Sequence, residues 1–385
     1  VNLAPGQDVA IDAHVEHAPL ARAVAEAAYA AGARYVDVWY WDAHHKRARV
    51  ERAPEDSLSW TPPWLDERIE RVGEVGGALV SIRGDPEPDL LAGVDERRAG
   101  LDMTPKIAAT GREQRTGRMP WVIVACPSPG WAEAVYGEPD VERLWQEVAH
   151  FVRLDEPEPL TAWRDHIDHL AARAAGLDQR AFDALRFRGP GTDLTVGLLP
   201  GALWCTAAER TLSGRANVVN LPTEEVFTTP DPQRTEGTAR ATRPMALSGS
   251  VVRGLELRFH DGRCVELRAD TGADVVRAEM AVDPGASRLG EVALVDGSTR
   301  IGRTGRTYLS TLLDENAGSH IAYGHGIGQA FSPDWGPGEE EMAAAGGNSS
   351  ARHTDIVIGS AEVEVDGLDD SGRATAIVRD GEWRL

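Results

Sequence analysis

Six side chains in the second half of the chain have types and spacing suited to metal chemistry. Glu315 and His320 sit in Leu312-Leu-Asp-Glu-Asn-Ala-Gly-Ser-His320, between the run Tyr308 to Leu313 and a glycine-rich turn, Gly324-His-Gly-Ile-Gly328. Five residues apart, they would lie on different faces of a helix, so they converge only if the Gly-Ser break redirects the backbone. In Asn348 to Gly359, His353 and Asp355 are two apart; in an extended chain they project together while Thr354 points away. Asn220 to Pro230 supplies Glu224 and Glu225 after a proline bend, and Leu289-Gly-Glu-Val-Ala-Leu-Val295 puts Glu291 directly ahead of an apolar strand.

Singly, each of these has a bland reading as a solvated loop or strand residue. Together, Glu225, Glu291, Glu315, His320, His353 and Asp355 bring too much negative charge to bury in one place unless cations offset it. A pair of divalent ions does so, and oxygen ligands with some nitrogen and no thiolate suit Zn, Co or Mn. Two ions about 3.5 to 4 Å apart activate a bridging water and polarise an acyl or phosphoryl oxygen. Other histidines read differently. Asp165-His166-Ile-Asp168-His169 fits the solvated face of an amphipathic helix, and His14 with His17, at a strand-to-helix junction, reads as capping or surface. The Gly324 to Gly328 run lacks the GxGxxG spacing of a dinucleotide site, so no nucleotide cofactor is expected.

The elements that must position these residues fall into two parts. A chain of 385 residues exceeds what one core usually supports, and 42% hydrophobic residues suffice for two. The first part alternates strands and helices: Asp8 to Asp12, Tyr35 to Tyr40, Ala78 to Ile82 and Trp121 to Ala125 extended; Pro19 to Ala31, Pro63 to Val72, Pro105 to Thr116, Val141 to Val152 and Leu160 to Ala175 helical. Such alternation predicts an α/β domain with an open, mostly parallel sheet over residues 1–188. After Arg188-Gly-Pro-Gly191 come short extended runs and Asp-Gly turns, including a hairpin from Leu255 to Leu267 across Asp261-Gly262. Residues 189–385 are therefore expected to form a β-rich, metal-binding catalytic domain with one helical insert near Thr307 to Leu313.

Composition narrows the partners. A formal charge of −21 argues against nucleic acid, which is held by Lys and Arg, and a carboxylate-lined cavity attracts cations. No apolar run approaches the roughly 20 residues that span a bilayer. Cys126, Cys205 and Cys264 stand far apart in no metal or redox spacing, which suggests free thiols in a reducing, cytoplasmic compartment. The chain opens on Val1 rather than Met, so a start upstream is expected.

With these clusters in view, the chain resembles the thermophilic metalloaminopeptidase family, of the aminopeptidase T, aminopeptidase S and PepS type. The likeness runs over essentially the whole chain and is densest in Asn220 to Pro230, Gly290 to Val295, Asp314 to Gly324, Asn348 to Gly359 and Val378-Arg-Asp-Gly-Glu-Trp383. The resemblance implies a metallo-exopeptidase that removes N-terminal residues from peptides with a free N-terminus, a dinuclear centre and a homodimer. It also implies metal ligands at Glu225, Glu291, Glu315, His320, His353 and Asp355, with Glu291 bridging.

A water shared by the ions is expected to attack the scissile carbonyl while Glu224 or Glu291 carries the proton to the leaving amine. Two departures stand out. The family's active-site Tyr, seven residues after the matching His, is Ile327 here, which leaves Tyr323 as the nearest hydroxyl and His325 as a further polar candidate. The relatives also carry a leading helix ahead of the first strand. Alternative readings are a dimetal hydrolase of another amide or dipeptide, and a catalytically impaired metal-binding relative.

Overall fold

The computed structural model describes residues 1–102, 104, 107–331 and 339–385. It resolves into two compact units, the first comprising Val1–Val152 with Ala208–Pro222 and Ser248–Ser250, the second Arg153–Ala207, Thr223–Leu247 and Val251–Leu385.

The first unit is the expected open α/β sheet. Its five strands are all parallel, in the order Tyr35–Trp41, Asp8–His14, Ala78–Arg83, Trp121–Ala125, Asn220–Leu221. Parallel neighbours need crossover connections, and helices Ala18–Ala30 and Pro63–Glu74 supply two of them. Val9, Ile11, Val80, Ile82 and Val122 pack into one cluster while Ala10 and Leu79, alternating with them, pack into another. Both faces of the sheet are thus covered, as the near-continuous apolar strands require. The helix expected over Pro105 to Thr116 is seen as Ala108–Gln114; Pro105 and Lys106 lie outside the described residues.

The second unit holds a four-stranded antiparallel sheet and an eight-stranded one. The smaller sheet runs Glu225–Thr228, Leu289–Val295, His320–Gly324, His353–Val357. The larger includes the expected hairpin, Glu256–His260 with Arg263–Arg268, whose turn residues Asp261 and Gly262 have φ of 49° and 74°. A Cβ on Gly262 would sit 2.0 Å from the Pro232 carbonyl oxygen, so only glycine closes this turn. One core joins the two sheets: Leu194, Val196, Leu257 and Phe259 from the larger, Val292, Leu294, Ile321 and Ile356 from the smaller.

Two expectations need correcting. The units divide after Val152 rather than near 188, because helix Pro159–Arg180 lays Leu170, Ala174 and Leu177 into the core of the second unit. The segment near Thr307 to Leu313 is helical only as the single turn Thr311–Asp314, and a two-turn helix, Ala273–Met280, appears where none was expected. No helix among the described residues is long and apolar enough to cross a membrane. All three cysteines are free.

Candidate metal centre

The register of the small sheet assembles the site. Glu225 lies opposite Val295, Glu291 opposite Ala322, Ala322 opposite Asp355, Gly324 opposite His353 and His320 opposite Ala293. Directly opposed residues share a face, so Glu225, Glu291, His320, His353 and Asp355 all project to one side. Between them stand Ala293, Ala322 and Gly324, which leave room on that side. Val226, Val292, Leu294, Ile321 and Ile356 take the other face into the core.

A β-bulge sets the aim of Glu291. Leu289 pairs with Tyr323 but Glu291 pairs with Ala322, so the register shifts by one residue at Gly290. Simple alternation would send Leu289 and Glu291 to the same side; the extra residue lets Leu289 enter the core while Glu291 turns to the ligand face. Glycine is required there, since a Cβ would lie 2.3 Å from the Gly324 carbonyl oxygen and 2.2 Å from that of His325.

The side chains converge closely. Nε2 of His320 lies 3.0 Å from Oε2 of Glu225, and Nε2 of His353 lies 3.0 Å from Oε2 of Glu291 and 3.4 Å from Oδ1 of Asp355. Two groups of ligand atoms, Glu225–Glu291–His320 and Glu291–His353–Asp355, each fall within 4.8 Å, and Glu291 belongs to both. Nδ1 of His353 is 2.9 Å from the His325 carbonyl, and Nδ1 of His320 is 3.3 Å from that of Gly318. An imidazole that donates from Nδ1 to a carbonyl presents Nε2 as a lone pair, the arrangement metal-ligating histidines adopt.

Glu315 arrives from the turn Glu315–Ala317, after which Gly318 is extended and the chain enters the His320–Gly324 strand. The Gly-Ser break thus redirects the backbone as the sequence suggested. The preceding residue holds the turn: Asp314 accepts from the Tyr308 and Ser310 amides at 2.8 and 3.1 Å. Asn316 accepts the Glu224 amide at 2.5 Å and donates to the Leu312 carbonyl at 2.8 Å, tying the turn to the strand that carries Glu225.

A family model described as Thermophilic metalloprotease (M29) matches residues 1–383. The chain is 41% identical to "Aminopeptidase T" of Thermus aquaticus over 394 residues, covering 100% of this chain and 95% of that protein. It is 34% identical to "Aminopeptidase PepS" of Streptococcus thermophilus, covering 100% and 94%. The solved structure of wild-type AmpT from Thermus thermophilus matches with a TM-score of 0.87 at 39% identity, covering 100% of this chain and 96% of that one.

The chain belongs to the thermophilic metalloprotease family.

Membership implies the use of divalent metal, and the electrostatics of the ligand face fit it. Burial lifts the Glu315 carboxyl well above the usual range, and the charges of Asp355 and Glu225 lift it further. Burial also raises Glu291. Burial opposes charge on His320, yet its hydrogen bond to Glu225 and the surrounding carboxylates carry it up to about 10; His353, likewise opposed by burial, is raised well above its ordinary value by Asp355 and Glu291. Without cations, the carboxylates crowded on this face favour protons on the two imidazoles and on Glu315. Divalent ions would replace those protons.

Two residues expected at the centre point elsewhere. Tyr323 lies on the core face, fully buried, and its hydroxyl donates to Oε2 of Glu279 at 2.7 Å. Glu224 precedes Glu225 by one residue and contacts Arg153 at 2.9 Å and His166 at 3.3 Å instead of the ligands. His166 is thereby drawn inward rather than solvated: it also lies 2.8 Å from the Thr223 carbonyl, and burial, then the Arg153 charge, lower it to about 4. His17 stands at the N-cap of helix Ala18–Ala30, but its side chain is completely buried and makes no capping hydrogen bond. His325 accepts the Ser350 amide at 3.3 Å through Nδ1 and supplies the carbonyl that orients His353, a supporting role beyond its mention as a polar candidate. Ile327 is half-buried. A third His-carboxylate group, Glu236–His260–Asp261, is solvent-exposed at the hairpin turn.

Proposed function

We propose that this metalloprotease is an aminopeptidase whose two divalent ions, Zn, Co or Mn, are held by Glu225, Glu291, Glu315, His320, His353 and Asp355. The observation that carries the reading is the membership of Glu291 in both ligand groups, which supports a carboxylate bridging two ions. Once bound, the ions would supply Lewis acidity and an acidified water for attack on the peptide carbonyl. The chain's own residues do the rest. Glu225 with His320, and His353 with Asp355, fix the two ligand groups on opposite flanks of Glu291. The His325 and Gly318 carbonyls hold both imidazoles with Nε2 forward.

Of the two carboxylates expected as proton carriers, Glu291 lies on the ligand face and Glu224 does not. Glu224, tied to Arg153 and His166, acts as a buried counter-charge beside the ligand strand. One ion would orient the free α-amine of a peptide's first residue, a group that an interior amide lacks, which supports exopeptidase action. The reading includes a cytoplasmic setting, supported by the free thiols, and a homodimer, supported by the resemblance to the aminopeptidases.

Acetylation tests this directly. An aminoacyl-nitroanilide should be hydrolysed, and its N-acetylated form should lose about a hundredfold or more in kcat/KM, as removal of ~2.7 kcal/mol of differential binding implies. Equal turnover of the two would instead indicate a hydrolase of another amide. The Ile at position 327 favours a second reading, an impaired relative; that reading would be supported by metal-loaded protein that cleaves neither substrate while Ile327→Tyr cleaves the free one.

A further inference from the structure

We infer that Glu279 is a positioning residue that clamps the His353–Asp355 arm of the centre from behind the sheet. This rests on the two-ion reading above. Glu279 lies in helix Ala273–Met280, is 4% exposed and faces the side of the small sheet opposite the ligands. A single carboxylate oxygen, Oε2, accepts from the Tyr323 hydroxyl at 2.7 Å and from the Thr354 hydroxyl at 2.9 Å. Tyr323 and Thr354 are directly opposed across the two strands. Their pair sits between the Ala322–Asp355 pair and the Gly324–His353 pair, so the clamp falls midway between two ligands.

The placement answers a mechanical need. Among the described residues, His353–Val357 is an edge strand of the sheet, with a ladder on one side only. Edge strands open more readily than interior ones. The imidazole on this strand is also the more exposed, with 33% of the His353 side chain accessible against 1% for His320. Backbone pairing alone would be satisfied by two apolar residues at these positions, and a buried carboxylate is costly unless its hydrogen bonds are used. Here they cross-link the strand bearing two ligands to its interior neighbour at the residue between those ligands. Glu291 and His320 lie on the two interior strands and Glu225 on the opposite edge strand, and of these the clamp touches only the His320 strand, through Tyr323.

The expected consequence is asymmetric. In a competition titration of full-length, metal-free protein with Zn²⁺ against a chromophoric chelator, wild type should show two ions per chain. Glu279→Ala should weaken one of them by about 10- to 100-fold, the range for outer-shell supports of ligands, and leave the other within about threefold. Glu279→Gln keeps an acceptor oxygen for both hydroxyls and should stay close to wild type. Thr354→Val, which removes one donor, should weaken the same single ion to an intermediate degree, and it carries the test if the alanine variant does not fold. Equal weakening of both ions, or none, with either variant would overturn the positioning role and leave Glu279 a general packing residue. A single ion in wild type would overturn the two-ion reading itself, and the inference with it.

Discussion

Glu291→Ala is expected to lose peptide hydrolysis and bound metal together, with kcat/KM falling by at least about a thousandfold, the equivalent of ~4 kcal/mol of lost stabilisation. Glu291 is the one side chain common to both ligand groups, so its removal opens both at once, whereas Glu225→Ala or Asp355→Ala opens only one. Nor is there a neighbour to substitute for it: Leu289 is in the core, and Ala293, next on the same face, carries only a methyl. Steady-state rates on a free aminoacyl-nitroanilide, measured beside elemental analysis of the same preparation, check both parts. A variant that kept full activity, or full metal content, would show that Glu291 is not shared.

Stripping the metal should abolish activity and lower the melting temperature of the otherwise unaltered protein. Ligand binding stabilises by about 4 kcal/mol at a thousand times Kd, which for a chain of this size amounts to a shift on the order of 5 °C in a thermal melt. The sign with pH follows from the cluster. His320 is raised to about 10, and His353 and Glu315 are raised well above their ordinary values, so in the absence of metal all three are shifted toward their protonated forms. Metal must displace those protons, so its affinity should rise with pH and its binding should release protons into the buffer. Identical melts and rates before and after chelation would contradict the account.

The proposed ligands were legible because each stands out against its surroundings. Glu291 is the lone charge in an apolar strand, His353 and Asp355 share strand parity, and Glu315 and His320 straddle a break in the backbone. Their common burial with opposing charges followed from counting carboxylates. Tyr323 and Glu224, by contrast, were drawn in by nearness along the chain, and parity excludes both: each is an odd number of residues from a ligand, Tyr323 within the strand of His320 and Glu224 next to the strand start at Glu225, and so lies on the far side.

Other features depend on contacts that no local pattern reveals. The bulge at Gly290 comes from the close approach of the Gly324 and His325 carbonyls, and alternation read without it would turn Glu291 or Leu289 the wrong way. The apolar stripe of Pro159–Arg180 announces that the helix is packed, yet not against which core, which is why the division lies after Val152 rather than near 188. His166 meets Glu224 only because that helix docks on the ligand sheet, and the partnership is invisible until distant segments are brought together.

Anomalous diffraction from crystals grown with zinc would test the central claim most directly. Two peaks per chain are expected on a single face of the small sheet, one among Glu225, Glu291 and His320, the other among Glu291, His353 and Asp355. One peak alone, or peaks away from Glu291, would contradict it.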